Sequence, residues 1–254
     1  MIAALDMYNW PESADVFQHF WVAISDGLDQ RGINAPTQLC QRDENLAGIA
    51  ASGDLLLGQI CGITYARANA EKQCFVNVGA FACDDDGLAP GEYCSVLIAP
   101  KGRMLDINAP STLRAAINGY GSLSGWIVLA QYFSGQSQQT PFKEVVLSGG
   151  HRQSAEIVAS AAADIAAIDI ISLQMLNRFS PDITTQLEVI GRTPPRPGLP
   201  LVTSCHHDPA TIAGLKAALD DAVAAPKIKA ALAGLGITGL ALNSDDDYRQ
   251  LLRL

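Results

Sequence analysis

The sequence predicts an α/β fold in which strands and helices alternate and divide into two lobes. The chain has 254 residues, of which 48% are hydrophobic and 17% charged, enough apolar material for one large domain or two small ones. Short apolar segments alternate with segments of helical spacing, a pattern typical of a mixed, mainly parallel sheet flanked by helices. A proline-rich connector at 193–200 lies so late that we expect the chain to return there to its first lobe.

The first lobe is predicted to begin with a buried strand and an amphipathic helix. Residues 2–8 form the apolar strand, and Pro11 and Ser13 mark the start of a helix over 14–30. Its apolar face is formed by Phe17, Phe20, Trp21, Ile24 and Leu28. Further strands are predicted at 54–58, 74–83 and 93–99.

The alternation continues through the rest of the chain. Strands are predicted at 115–118, 143–147, 165–168 and 201–204. Helices are predicted at 122–134, 154–163, 170–178, 209–224 and 226–235.

Charge and hydropathy exclude several classes of partner. The 17 Lys and Arg against 26 Asp and Glu give a net charge of −9 without a basic cluster, which argues against binding to nucleic acid or to an acidic membrane surface. The most apolar stretch, 155–176, is broken by Asp164 and Asp169 and predicts no membrane span, so we expect a soluble globular protein. The first residues lack the basic and apolar regions of a signal peptide, which leaves a cytoplasmic location open.

The six cysteines form no CxxC pair and indicate no cofactor. Cys83 and Cys94 flank an acidic loop and are candidates for a disulfide across two strands. Cys61 is a conceivable nucleophile, but no base lies at a recognisable spacing. Residues 205–208 (Cys-His-His-Asp) resemble a metal-binding run, yet consecutive side chains point in different directions and Asp208 and Pro209 favour a helix start, so we expect no metal site.

Two strand-to-helix turns carry the pattern of an anion site. Residues 118–126 are rich in glycine and place Ser122 and Ser124 at the first turn of a helix, where free N–H groups and the helix dipole favour an anion. Residues 148–154 repeat this device and add His151. Each turn by itself also fits an ordinary serine N-cap with glycines, and neither matches a dinucleotide or Walker motif.

Six stretches, taken in order, resemble the phosphate, phosphite and phosphonate family of type II periplasmic binding proteins that serve ABC importers. The most specific are Ser122-Leu-Ser-Gly125 and Ser148-Gly-Gly-His151. The full set is 54–62, 93–96, 118–125, 148–154, 163–169 and 197–200.

This resemblance implies two α/β lobes with a ligand cleft between them, lobe 1 from 1–98 and 195–254 and lobe 2 from 99–194. It implies that the oxyanion is held by Ser122, Ser124, Gly125, Ser148 and His151, with Asn118 as a further ligand-binding residue. It implies that the cleft is lined by Tyr8, Gln59, Tyr93 and Asp169. The implied protein is a periplasmic monomer that delivers a small oxyanion to a permease.

The alternative is an enzyme of small-molecule metabolism on the same two-lobed fold, because function does not follow from fold. Cys61, His151 and Asp169 are its candidate catalytic groups.

Overall fold

The computed structural model describes residues 1–40, 46–83, 85–135 and 140–254. The strands are β1 (Ile2–Ala4), β2 (Leu55–Gln59), β3 (Phe75–Cys83), β4 (Glu92–Tyr93), β5 (Ser95–Pro100), β6 (Arg114–Ile117), β7 (Glu144–Leu147), β8 (Ile165–Asp169), β9 (Leu187–Arg192), β10 (Arg196–Pro197), β11 (Pro200–Ser204) and β12 (Ile237–Ala241). The helices are α1 (Ala14–Asp29), α2 (Leu46–Ala51), α3 (Gly62–Ala70), α4 (Val128–Ser134), α5 (His151–Ala159), α6 (Ile170–Phe179), α7 (Pro181–Thr184), α8 (Pro209–Ala224), α9 (Pro226–Ala233) and α10 (Asp245–Arg249). A π-helical turn, Leu123–Ile127, leads directly into α4.

The first compact unit, unit 1, contains Met1–Glu92 and Pro197–Leu252. Its sheet has the order β1-β2-β11-β3-β12. Only β1 and β2 pair in parallel, whereas the pairings of β11 with β2, of β11 with β3 and of β12 with β3 are antiparallel. The α/β class is confirmed, but this sheet is less parallel than the sequence predicts, because β11 enters it after the connector and runs against both neighbours.

Helix α1 supplies much of the core of unit 1. All five residues of its predicted apolar face are fully buried, which confirms the helical spacing read from the sequence. The ring of Phe81 in β3 lies between aromatic side chains, with centroids 6.2 Å from Phe17, 6.0 Å from Phe20 and 6.5 Å from Tyr8. The central strand β11 is buried along its whole length, as an apolar strand between two neighbours must be.

A disulfide joins Cys74 to Cys205 in unit 1. The two residues are adjacent because β3 and β11 pair with Phe75 opposite Ser204, so the residues just outside that pair face each other. The candidate Cys83–Cys94 disulfide is not formed. Both cysteines are present as thiols, and Cys83 Sγ donates a hydrogen bond to the backbone oxygen of Glu92, 3.5 Å away. The sequence gives no signal for the true pair, because nothing in it shows that β3 and β11 are neighbours.

The second compact unit, unit 2, contains Tyr93–Arg196 together with Arg253–Leu254. Its sheet has the order β7-β6-β8-β5-β9. Strands β7, β6 and β8 are parallel, and β5 pairs antiparallel with both β8 and β9. Strand β8 is entirely buried. The carboxyl ends of β6, β7 and β8 therefore lie at one edge of the sheet, where ligands of open α/β sheets commonly bind.

An ion cluster around the buried carboxylate of Asp164 lies at the opposite end of this sheet. The carboxylate of Asp164, which precedes β8, accepts hydrogen bonds from the backbone N–H of Arg114 at 2.8 Å and from its guanidinium Nη2 at 2.9 Å. Arg103 Nη1 lies 2.9 Å from the same carboxylate.

Across the described parts of the chain, no helix has both the length and the apolar character needed to span a bilayer.

Candidate functional site

Three segments of unit 2 converge at the carboxyl edge of its sheet. The turn after β6 contains Asn118 to Ser122, the loop after β7 contains Ser148 to Gly150, and β8 ends at Asp169. The second segment is tied to the first by backbone hydrogen bonds from Ser148 N to Ile117 O at 2.8 Å and from Gly149 N to Asn118 O at 3.1 Å. The two turns selected from the sequence are therefore neighbours in space.

Ser122 caps the helical segment that follows β6. Its backbone is extended, and its Oγ accepts a hydrogen bond of 3.0 Å from the N–H of Gly125. Because that bond uses the hydroxyl oxygen as an acceptor, the Ser122 hydroxyl hydrogen is still able to donate. The predicted helix over 122–134 is found as a π-helical turn followed by α4, with backbone N–H groups of its first turn facing the carboxyl edge.

Asn118 and Gly125 are in close contact within this turn. The Oδ1 atom of Asn118 is buried and accepts no hydrogen bond within the described part of the chain. A Cβ atom placed on Gly125 would lie 2.4 Å from that Oδ1 and 3.1 Å from Ser122 Oγ. A side chain at position 125 would therefore displace Asn118 and Ser122. A buried polar atom without a partner is a feature that a ligand can satisfy.

A cluster of Ser124, His151 and Asp169 lies at the centre of the edge. Ser124 Oγ is 2.9 Å from His151 Nε2, and Asp169 Oδ2 is 3.1 Å from the same nitrogen. All three side chains are buried or nearly so, with Ser124 8% and Asp169 2% exposed. Asp169 is fixed in place as the N-cap of α6, because its Oδ1 accepts a hydrogen bond of 3.0 Å from Ser172 N.

A hydrogen bond from His151 to an ionised Asp169 assigns the imidazole hydrogen to Nε2. An ionised carboxylate can only accept hydrogen bonds, so Nε2 must carry a hydrogen to bond Asp169. A nitrogen that carries a hydrogen cannot accept one from Ser124, so the Ser124 O–H is left to point to another acceptor. Burial lowers the pKa of His151 below its usual value, while the Asp169 charge and a backbone hydrogen bond at Ala167 act in the opposite direction.

Ser148 shapes the second loop and is engaged with protein atoms. Its Oγ lies 2.9 Å from Ile117 O, 3.0 Å from Gly150 O and 2.6 Å from Ser154 Oγ. The predicted start of helix α5 at residue 154 is wrong by three residues, because Gly150 is the N-cap. His151 therefore belongs to the first turn of α5, and this position directs its ring towards Ser124 and Asp169.

Two residues behind the cluster were missed by the sequence interpretation. Ser95 Oγ donates to the backbone oxygen of Ser124 at 3.0 Å, and Ser95 N donates to Thr193 Oγ1 at 2.9 Å. Both side chains are buried, so they hold the Ser124 backbone from the side of β5. The available signal was a hydroxyl residue at the start of an otherwise apolar buried strand.

The other predicted ligand contacts lie elsewhere. Tyr8 and Gln59 belong to unit 1, and Tyr93 begins unit 2 at its boundary. Gln59 is the last residue of β2 and is 3% exposed, and neither polar atom of its amide has a hydrogen-bond partner among the described residues. Tyr8 and Tyr93 are 2% and 3% exposed. The participation of all ten predicted residues in ligand binding stays a prediction.

Cys61, the candidate nucleophile, and Arg152, the cation next to His151, lie at the starts of two different helices. Cys61 is the N-cap of α3 in unit 1, and its side chain makes no capping hydrogen bond. Arg152, the cation next to His151 in sequence, places its Nε 3.6 Å from Glu156 Oε1 along the same helix.

Comparison with protein-family models identifies a match to a transport family. A family model described as ABC transporter, phosphonate, periplasmic substrate-binding protein matches residues 46–248. No curated protein matches the chain.

Solved structures share the whole fold at low sequence identity. A binding protein component of an ABC phosphonate transporter from Pseudomonas aeruginosa aligns with a TM-score of 0.77 and 20% identity over 100% of this chain and 84% of that one. A Prochlorococcus marinus protein in complex with methylphosphonate aligns with a TM-score of 0.73 and 17% identity over 99% of this chain and 96% of that one. A Xanthomonas citri protein bound to ATP aligns with a TM-score of 0.71 and 12% identity over 100% of this chain and 94% of that one. At these identities the structural similarity establishes the fold.

Proposed function

We propose that this chain, which belongs to the family of periplasmic phosphonate-binding proteins of ABC transporters, binds a small phosphorus oxyanion at the carboxyl edge of unit 2. The observation that carries the proposal is the cluster of Ser124, His151 and Asp169 beside the Ser122 cap. The ligand class is a phosphonate, phosphate or phosphite. The methylphosphonate bound to the Prochlorococcus relative supports this class.

The donors of the proposed site are neutral hydroxyl and backbone groups, and His151 lies beside them with its Nε2 close to Ser124 and Asp169. The Ser124 O–H is available because Asp169 occupies the Nε2 hydrogen of His151, and the Ser122 O–H is available because its oxygen already serves as the helix cap. Hydrogen bonds to a charged group contribute roughly 1.5–3 kcal/mol each, so a few of them are sufficient for micromolar affinity. Phosphate oxygens at a helix N-terminus are also stabilised by the helix dipole.

Long-range attraction does not explain such binding. The chain has a net charge of −9, and Arg152 is paired with Glu156. Affinity is therefore expected to come from short, preorganised hydrogen bonds in a water-poor site. Gln59, Tyr8 and Tyr93 are proposed contacts to the rest of the ligand, and the Gln59 amide has no hydrogen-bond partner among the described residues.

The family is a transport family of the periplasm, which implies a permease as the macromolecular partner. We propose that the carrier is a monomer.

Calorimetric titration with methylphosphonate, phosphate and phosphite tests the function. Replacing Ser124 with Ala, or Ser122 with Ala, should weaken the preferred oxyanion about ten- to a hundredfold, because each removes one charge-assisted hydrogen bond. Arg152→Ala is the matched control on the adjacent helix turn and should change affinity less than threefold. Loss of binding in Arg152→Ala with normal binding in both serine variants would overturn the assignment.

Ser148→Ala separates a positioning role from a ligand contact. Because Ser148 Oγ is engaged by three protein oxygens, its removal should lower stability together with affinity. Ser124→Ala should lower affinity with little change in stability. Thermal unfolding of the ligand-free variants beside the titrations distinguishes the two cases.

A further inference from the structure

The disulfide of unit 1 is part of a cluster that also contains an imidazole. Cys74 lies before β3, Cys205 follows β11, and His206 is the next residue. The two sulfur atoms and a ring nitrogen of His206 all lie within 4.8 Å of one another. Cys205 and His206 are exposed and Cys74 is half-buried, so reductants and ions in solvent can reach the cluster.

The backbone around this cluster is held in place independently of the disulfide. Cys205 N donates to Cys74 O at 3.3 Å, and His206 N donates to Ser204 Oγ at 3.2 Å. Ser204 Oγ is itself anchored by a hydrogen bond to the backbone oxygen of Ala50. These bonds keep the three ligand residues together when the sulfur–sulfur bond is broken.

We propose that reduction of the Cys74–Cys205 disulfide creates a binding site for Zn²⁺, with two thiolates and the His206 imidazole as ligands. Thiolate and imidazole are the ligands that zinc prefers, and three protein ligands with one water form a common open zinc site. In a tetrahedral site with Zn–S of about 2.3 Å and Zn–N of about 2.0–2.1 Å, the ligand atoms lie roughly 3.5–3.8 Å apart. The three ligand atoms already lie within 4.8 Å of one another, and the site requires the two sulfur atoms to move apart once their bond is broken.

The chemistry of the proposed conversion balances. A phosphine reductant and one water molecule break the sulfur–sulfur bond, giving two thiols and a phosphine oxide, so phosphorus is oxidised and both sulfur atoms are reduced. Binding of Zn²⁺ then displaces the two thiol protons to solvent, while neutral His206 supplies a lone pair. The resulting site has two thiolate charges against a divalent cation and is electrically neutral.

The contacts of the neighbouring residues favour His206, and not His207, as the imidazole ligand beside the two cysteines. The Nε2 of His207 lies 3.0 Å from the backbone oxygen of Leu55, so that ring is already engaged with β2. The carboxylate of Asp208 accepts hydrogen bonds from Ala210 N and Thr211 N as the N-cap of α8. The consecutive residues 205–208 therefore do not act together, and the third ligand comes from Cys74 across the sheet.

In both redox states the proposed cluster would join the start of β3 to the end of β11. The covalent bond does so in the oxidised protein, and the metal would do so in the reduced protein. Because a metal that binds only the folded state stabilises it by mass action, Zn²⁺ at about 100 times its Kd should raise the Tm of the reduced protein by about 5–10 °C.

The test uses the full chain and Co²⁺ as a spectroscopic substitute for Zn²⁺. The protein is reduced with a phosphine, freed of reductant without oxygen, checked by circular dichroism and titrated with Co²⁺ and then Zn²⁺. The expected result is one tetrahedral Co²⁺ per chain with thiolate charge-transfer absorption, displaced by Zn²⁺, and no such absorption with the oxidised protein. Should reduction unfold the chain, Zn²⁺ is expected to refold it, and its failure to do so would count against the site.

Three variants define the ligands. The double variant C74S/C205S keeps the other four cysteines and should show no thiolate–Co²⁺ absorption. His206→Ala should weaken Co²⁺ binding at least tenfold, whereas the adjacent control His207→Ala should leave it unchanged. Equal binding by the reduced wild type and C74S/C205S, or by the wild type and His206→Ala, would overturn the proposal.

Discussion

Replacing Gly125 with alanine tests the geometry of the proposed anion-binding turn more directly than removal of a hydroxyl does. The new Cβ would lie 2.4 Å from Asn118 Oδ1, which is 1.0 Å inside the 3.4 Å at which ordinary van der Waals contact begins. It would also lie 3.1 Å from Ser122 Oγ, the helix cap. Both side chains must move away, and both belong to the proposed site.

The expected losses of stability and of affinity in Gly125→Ala follow from these two displacements. Overpacking by one methyl group costs about 1–3 kcal/mol, and disturbance of the Ser122 cap costs about 1 kcal/mol when the capping bond is lost. Because the Asn118 amide can swing outwards, we expect the stability loss to stay near 1–2 kcal/mol. Methylphosphonate affinity should fall at least tenfold, since the turn loses the positions of two polar groups at once.

Calorimetric titration and urea unfolding measure the two effects separately. The matched control is Gly121→Ala in the same turn, where an added Cβ would have no neighbour within 4 Å, and its affinity and stability should be those of the wild type. Adding Asn118→Ala to Gly125→Ala should restore stability but not affinity. If Gly125→Ala bound methylphosphonate as tightly as Gly121→Ala, the reasoning that places the ligand at this turn would be refuted.

The remaining predictions concern stability. Because the Cys74–Cys205 disulfide closes a loop of 131 residues, C74S/C205S should lower the free energy of unfolding by up to about 5 kcal/mol in urea titrations without added metal, and a loss below 1 kcal/mol would contradict this chain-entropy account. Hydrogen bonding to Arg114 lowers the pKa of Asp164, so this carboxylate stabilises the fold above its ordinary pKa and the contribution disappears as pH falls through the lower folded value. Asp164→Asn should make the free energy of unfolding depend less steeply on pH between pH 5 and about pH 2. An unchanged pH dependence in this variant would exclude the effect. Burial lowers the pKa of His151, so the unfolded chain binds a proton below about pH 6.5 that the folded chain resists. Stability should therefore fall from pH 7 to about pH 5, and His151→Gln should remove that dependence.

Local sequence patterns predicted the α/β class and most of its elements. The five apolar residues of α1 identified a helix that is buried as expected, and Asp208 with Pro209 identified the start of α8. Patterns of this kind depend only on neighbours in sequence. They could not predict the antiparallel position of β11 between β2 and β3, because strand order depends on contacts between distant segments.

The same distinction explains the candidate site. The two glycine and serine turns were recognised because helix capping is local, and their convergence follows from the parallel pairing of β6, β7 and β8. The support of Ser124 by Ser95, and the use of Ser148 as a loop anchor, could not be read from sequence. A hydroxyl at a turn has several available partners, and only the fold decides whether it faces a ligand or the protein.

The atom that Asp169 contacts separates a binding site from a hydrolytic one. In a serine hydrolase the aspartate holds one imidazole nitrogen so that the other is free to remove the serine proton. Here Ser124 and Asp169 both face Nε2 of His151, so the nitrogen nearest the serine carries a hydrogen and cannot act as the base. With the Nε2 hydrogen donated to Asp169, Ser124 keeps its proton and can donate it to the oxyanion that we propose as the ligand.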